Sequence, residues 1–296
     1  MEIRVLKYFL EVANKGSFSA AAKSLHLSQP TLSRQLGELE KNIGKKLFIR
    51  SSIRTALTED GMFLQKRAQE IIDLTQKTES ELRQSDSFIG GNIWIGAGES
   101  EGMRIVAKTI NSLRKDFPNI HVHLISANAT DTIERLEKGL IDFGVGVGGI
   151  DLNNYESMWL PTAHADGLLM RKDSPLASRT AITPNDLKGI PIISPRSESL
   201  RHRYEQWLGY SFDSLDIVAT FNLIYNAAFL VEEGVGYALT IDRLVTTSEN
   251  YPLCFVPCEP KMEVRSNIVW KKQQVFSKSS QKFLERLQEL TSDSTS

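Results

Sequence analysis

The stretch from Ser17 to Phe48, SFSAAAKSLHLSQPTLSRQLGELEKNIGKKLF, constrains this chain more than any other. Two short helical patterns meet in it across Leu25-His26-Leu27-Ser28. The first, Ser19 to Leu25, is alanine-rich and places Ala21, Ala22 and Leu25 on one face. The second starts after Ser28, whose hydroxyl can accept a hydrogen bond from a first-turn N–H. Pro30 follows in that turn, where its missing N–H costs nothing. Leu32, Leu36, Leu39 and Ile43 recur at spacings of four, three and four, which makes one apolar stripe. At about 100° per residue, Arg34 and Lys41 fall opposite that stripe, with Thr31 and Ser33 on its shoulders. An outer face of Gln, Thr, Ser and Arg suits hydrogen bonding to base edges and phosphates. A tight helix–turn–helix of this kind is the shape that enters a major groove of double-stranded DNA.

Charge agrees with that reading. The formal net charge of −1 conceals an asymmetry: residues 1–58 hold ten Lys and Arg against four Glu, a surplus of +6 that leaves −7 for the rest. A basic end on an acidic body is an electrostatic footprint for nucleic acid, although a merely solvated basic face has the same composition. Around the helix pair, a first helix is expected from Ile3 to Asn14, with Leu6, Phe9, Leu10 and Ala13 inward and Gly16 as its stop. Lys46–Arg50 and Thr55–Thr58 read as two strands around the turn Ser51–Arg54. Arg50 and Arg54 at the ends of this hairpin would straddle a phosphate backbone or reach into a minor groove.

Thr58 can cap a long helix from Glu59 to about Gln84. In it Leu64, Ala68, Ile71, Thr75, Thr78 and Leu82 recur at 4, 3, 4, 3 and 4, a coiled-coil seam that points to a homodimer. Packing against its own domain is the competing use of that stripe. The polar SDSFIGGN at 85–92 reads as a linker. Beyond it strands and helices alternate: Ile93–Ala97, Gly102–Phe117, Ile120–Ser126, Thr130–Lys138, Phe143–Val147. A second set follows, with strands at Gly167–Arg171, Ile192–Ser194, Asp216–Thr220 and Tyr237–Thr240 and helices near Leu200–Leu208 and Leu223–Glu233. A strand at Ser266–Trp270 and a helix at Ser279–Leu290 end the series. The order predicts an α/β body with a parallel sheet and helices on both faces.

No apolar run is long enough to span a bilayer, and the N-terminus does not read as a signal peptide. Two cysteines, Cys254 and Cys258, give no disulfide framework, so a reducing cytoplasm is the expected location. Gly96-Ala97-Gly98-Glu99-Ser100-Glu101-Gly102 follows a strand, but its spacing is GxGxxxG and two carboxylates would face a pyrophosphate. His121 and His123 share a strand face without a further ligand at metal spacing. Neither a metal nor a cofactor is expected. On the residues alone, a cytoplasmic small-molecule-binding protein and an α/β enzyme without specific DNA recognition stay open beside a DNA-binding regulator. The first accounts for the body only, and the second needs a catalytic constellation that residue order does not supply.

Several motifs coincide with a known family. Phe9-Leu10-Glu11-Val12-Ala13, Gly16 to Ala22, Leu25 to Leu36, Leu39-Glu40, Gly44, Leu47-Phe48-Ile49-Arg50 and Leu57-Thr58-Glu59-Asp60-Gly61 resemble, in order and spacing, the N-terminal module of LysR-type transcriptional regulators. Asp142-Phe143-Gly144, Asp173-Ser174-Pro175-Leu176-Ala177 and Glu233-Gly234-Val235-Gly236-Tyr237-Ala238-Leu239 extend the resemblance more loosely. It implies a winged helix–turn–helix at 1–58, a linker and dimerisation helix with hinge at 59–90, and a periplasmic-binding-protein-like effector domain at 91–296. That domain would have one lobe at 91–162 with 266–296 and a second at 163–265. It implies DNA contacts at Gln29, Pro30, Thr31, Ser33 and Arg34 and, in the wing, Arg50 and Arg54. A small-molecule effector of unknown identity would sit between the lobes, at the carboxyl ends of the strands, near Ser100, Asn128, Gly148, Pro195, Arg196 and Asn222. Ser100 and Asn222 are equally placed to be ordinary helix caps. Arg196, Arg201, His202 and Arg203 would attract a carboxylate, yet Glu99 and Glu101 flank Ser100 and oppose a simple anion site. The resemblance also implies dimers, tetramers through the effector domains, and contact with RNA polymerase.

Overall fold

The computed structural model describes residues 1–50, 54–82, 89–147 and 152–292. The chain divides into two compact units, Met1–Gln84 and Ser85–Ser296. The first holds α1 (Ile3–Lys15), α2 (Phe18–Ser24), α3 (Gln29–Ile43), β1 (Phe48–Arg50), β2 (Thr55–Leu57) and α4 (Glu59–Leu82). α1 stops at Gly16, whose φ of 61° suits a residue without a side chain. Ser17 Oγ accepts from Ala20 N at 3.3 Å and starts α2. Ser28 Oγ accepts from Thr31 N at 3.3 Å and starts α3, with Pro30 in its first turn.

Leu6, Phe9 and Val12 of α1 pack on Ala21, Ala22, Leu32, Leu36 and Leu39. Phe48 brings the hairpin into this core, its ring centroid 5.2 Å from those of Phe9 and Phe18. Three inward assignments shift. Val12 is buried where Ala13 was expected, Leu25 is half-buried, and Ile43 is 41% exposed. The core ends before Ile43 because Glu40, not the next apolar position, turns inward. Its carboxylate accepts from Leu47 N at 2.8 Å, Phe48 N at 3.3 Å and Lys46 Nζ at 3.0 Å, fastening the hairpin to α3. β1 and β2 pair antiparallel, Phe48 opposite Leu57 and Arg50 opposite Thr55. Thr58 Oγ1 donates to Lys46 O at 2.7 Å and accepts from Gly61 N at 3.0 Å, the expected cap of α4. Gly61 is required there, since a Cβ would meet Leu47 O at 2.1 Å.

The seam expected along α4 divides. Leu64 and Ala68, with Ile72, are buried in the unit's own core. Ile71 and Leu82 of the expected seam, with Phe63 and Leu74, form a separate exposed apolar face. Thr75 and Thr78 direct their hydroxyls to Ile71 O and Leu74 O, 2.7 and 2.8 Å away.

The second unit holds β3 (Gly91–Ala97), α5 (Met103–Asp116), β4 (Ile120–Ser126), α6 (Ala129–Glu137), β5 (Phe143–Val147), β6 (Tyr155–Arg171), β7 (Pro191–Pro195), α7 (Glu198–Leu208), β8 (Asp216–Phe221), α8 (Ile224–Glu232), β9 (Tyr237–Ile241), β10 (Leu253–Pro257), β11 (Glu263–Lys271) and α9 (Lys278–Ser292). Strand order is β4-β3-β5-β11-β6-β9-β7-β8, with β10 also on β6. β3 pairs parallel with β4 and β5, and β7 with β8 and β9. The all-parallel expectation fails at the centre: β11 runs antiparallel to β5 and β6, and β6 runs antiparallel to β9 and β10.

β6 contributes to two groups of core side chains, which we call lobe I and lobe II, and β11 to the first. Ile95, Phe143 and Phe283 belong to the first, Leu168, Ile192 and Leu239 to the second. The pairing of β6 with β11 shifts register between Arg265 and Asn267, where the strands pass from one lobe to the other. Only the last third of β6 was expected. Its earlier residues include Glu156, Ser157, Thr162 and His164, which break the apolar signal of a buried strand.

Candidate functional site

α3 presents the first face of interest. Gln29, Pro30 and Arg34 are exposed, and Thr31 and Ser33 are half-buried on its flanks. The Thr31 hydroxyl is already engaged with Ser28 Oγ at 2.7 Å, so its methyl is the part left for an apolar contact. Arg50 is placed by its backbone opposite Thr55, and its side chain lies outside the described residues, as does the turn 51–53. Arg54 is exposed but leans on the α1–α2 turn, where a Cβ on Gly16 would come within 3.0 Å of Arg54 Nε.

The second face is a cavity of about 150 Å³ between the lobes of the second unit. Asn128, Pro195, Arg196 and Asn222 line it, and Gly148 lies outside the described residues. Ser100 does not line it; it is buried behind the turn, its hydroxyl without a hydrogen-bond partner among the described residues. Neither Ser100 nor Asn222 is a cap, since Gly102 and Leu223 precede α5 and α8 and no side chain caps either helix locally. Asn128 is the cap: its Oδ1 accepts from Asp131 N at 2.9 Å at the start of α6.

The arginine cluster is mostly spent. Arg201 pairs with Asp213 at 2.5 Å and lies over the Phe212 ring. Arg203 pairs with Asp166, which is 1% exposed and also accepts from Tyr204 OH at 3.1 Å. Burial lowers the Arg203 pKa and raises that of the Tyr204 phenol, so the phenol is a neutral donor to the Asp166 carboxylate. Arg196 lines the cavity, donates to Thr220 Oγ1 at 3.2 Å, and pairs with no carboxylate among the described residues. Asp166, Arg203 and Tyr204 were not singled out from sequence as a group, because a pairing across 37 positions leaves no local signal.

Glu99 lines the cavity from lobe I, and its Oε2 accepts from Ile224 N of lobe II at 2.6 Å. The remaining walls are mainly apolar, with Val145, Leu200, Phe221, Leu239 and Val264, but they also carry the paired Asp166 and Arg203 and the Tyr204 phenol. A void of this size holds a molecule of about benzene's dimensions.

Other constellations carry structure. His164 hydrogen-bonds Asp242 Oδ1 and Ser266 Oγ, each at 3.2 Å, in the order of a hydrolytic triad. Ser266 is fully buried and His164 is 1% exposed, so no substrate reaches the hydroxyl; the chain of bonds ties β6 to β11 and to the end of β9. His123 stacks on Trp94 with centroids 3.9 Å apart and bonds Asn92 Oδ1 at 2.9 Å. In the glycine-rich turn, a Cβ on Gly102 would meet Ser266 Cβ at 2.6 Å, so that glycine serves packing.

Comparison with known proteins joins the two faces. Residues 3–62 match the bacterial regulatory helix-turn-helix protein family model, lysR family, and residues 89–292 match the LysR substrate binding domain. The chain is 30% identical over 200 residues to a probable RuBisCO transcriptional regulator of Synechocystis sp., a match covering 67% of this chain and 57% of that relative. It is 24% identical over 295 residues to the uncharacterized HTH-type transcriptional regulator YbhD of Escherichia coli, covering 99% of this chain and 92% of the relative. Its fold is similar to the crystal structure of CbnR, a LysR family transcriptional regulator, with a TM-score of 0.76 at 20% identity over 98% of this chain and 99% of that one. A second CbnR structure, complexed with its target DNA, gives a TM-score of 0.74 at the same identity and coverage. The chain therefore belongs to the LysR family: it is a DNA-binding transcriptional regulator with an effector-binding domain, and not an enzyme.

Proposed function

We propose that this regulator reads a two-fold operator as a dimer, through Gln29, Pro30, Thr31, Ser33 and Arg34 of each copy, and that a small molecule bound between the lobes controls it. The exposed, polar first turns of α3 support the DNA half of this reading. Gln29 and Arg34 have the bidentate chemistry for adenine and guanine edges, while Pro30 and the Thr31 methyl suit a thymine methyl. Arg50 and Arg54 serve the flanking backbone or minor groove. The exposed face of α4 at Phe63, Ile71 and Leu74 supplies an apolar surface for a second copy. Its action belongs in the cytoplasm, with RNA polymerase as the downstream partner, and a second contact through the effector domains would make tetramers.

The observation that carries the effector half is the inter-lobe cavity, with mainly apolar walls and Arg196 as the lining cation that pairs with no carboxylate among the described residues. That combination favours a small, mainly apolar molecule with one acidic group. Two experiments test the reading. A gel shift with DNA upstream of the chain's own coding sequence shows a complex that competitor of scrambled sequence does not remove, and equal competition would contradict specific reading. A thermal-shift screen of small metabolites on the full chain finds a ligand whose stabilisation grows with concentration and disappears in Arg196→Ala. Stabilisation indifferent to that substitution would move the effector elsewhere.

A further inference from the structure

Glu99 is where this chain departs from a simple anion cleft, and its geometry gives the departure a role. The residue leaves lobe I just beyond β3, crosses the cavity, and places Oε2 2.6 Å from the first N–H of α8 in lobe II. Leu223, which precedes α8, offers no side-chain cap, so an N–H that a helix start leaves unpaired is met from the opposite lobe. A carboxylate there also faces the positive end of the helix dipole. The lobes are joined by β6 and β11, whose register shifts at Arg265/Asn267.

We propose that Glu99 is a built-in acid ligand of its own cleft: its carboxylate bridges the lobes in the absence of effector and so determines which effectors bind. An effector whose acid group goes to α8 has to displace Glu99. One that leaves Glu99 in place meets Arg196 as its counter-charge. This inference rests on the cavity being the effector site, and it assigns the specificity of that site to a residue outside the arginine cluster.

Chemical rescue tests it. In thermal unfolding of the full chain, Glu99→Ala lowers the midpoint by about 3–6 °C, on the scale of one charge-assisted hydrogen bond in a domain of this size. Sodium formate, but not sodium chloride at equal ionic strength, restores at least half of that loss with a saturating dose dependence, while the wild-type chain answers both salts alike. A Glu99→Ala chain as stable as wild type, or one that formate does not rescue, overturns the proposal. If a metabolite still stabilises the wild-type chain through Arg196, the effector reading survives that failure. Should Glu99→Ala not fold, amide exchange decides: the Ile224 N–H exchanges on the order of 10-fold faster in Glu99→Gln than in wild type. Equal rates overturn the proposal.

Discussion

Arg34 and Glu40 sit six positions apart on α3, the first exposed and the second buried. Arg34 points to solvent, so Arg34→Ala leaves the thermal midpoint unchanged and weakens operator binding by at least ~1 kcal/mol at fixed salt. A titration with unchanged affinity would remove it from the contact set. For Glu40, burial raises the carboxyl's pKa, but the Leu47 N–H, the Lys46 ammonium and the Phe48 N–H together outweigh it and hold the pKa below 4.5. A carboxyl depressed on folding adds stability above its unfolded pKa and loses it as pH falls through the folded value. Melting of the N-terminal unit therefore drops as pH is taken below about 4.5. Glu40→Gln costs about 1–3 kcal/mol at pH 7 and flattens that acid limb. Melts of both chains across pH check this; identical acid limbs would place the sensitivity elsewhere. Cys258 makes the third residue-scale case. Burial pushes its thiol up to about 12 against the pull of Arg203, so almost no thiolate exists near neutrality. Iodoacetamide at pH 8 then labels Cys258 only after unfolding, which mass spectrometry of native and denatured samples reads directly.

At the scale of elements, α4 shows what periodicity conveys and what it leaves out. The 4-3-4 spacing identified a helix with a continuous apolar stripe, but residues of neighbouring angle go to different partners. Leu64 and Ala68 belong to the core of their own unit, and Ile71 and Leu82 to an exposed face with Phe63 and Leu74. Substitution separates the two uses. Leu74→Glu shifts the full chain from dimer toward monomer in sedimentation while its fold persists, whereas Ala68→Glu buries an unpaired charge and unfolds the N-terminal unit. Equal effects of the two would deny α4 a second face. Capped helices and short apolar strands were legible because their signals are local: Ser28 and Thr58 at starts, Gly16 at a stop. The crossover strands were not. β6 is long, polar in its first half and antiparallel, and its partners lie as far away as β11.

For the whole molecule, the two faces differ in how much sequence could say of them. The proposed DNA-reading face is contiguous, so its helix could be placed from spacing and its contact residues, Gln29 to Arg34, from the resemblance to the LysR family. The cavity is assembled from segments more than 120 positions apart, such as Glu99 and Ile224, and nothing local marks Asp166, Arg203 and Tyr204 as one group. Glu99 was visible only as an acid out of place. The charge asymmetry has its use at this scale too, since the basic surplus of residues 1–58 adds nonspecific attraction to phosphates while the acidic body is repelled by them. One module with few phosphate contacts holds DNA weakly, and coupling two copies raises the effective concentration of the second at its half-site. The central claim, a paired reader built on α3, is tested most directly by footprinting the full chain on its own upstream DNA. Two protected half-sites with dyad-related sequence, centred about 10 base pairs or a multiple apart and both lost in Arg34→Ala, are the predicted result. Protection of a single half-site, or protection unchanged by Arg34→Ala, would contradict it.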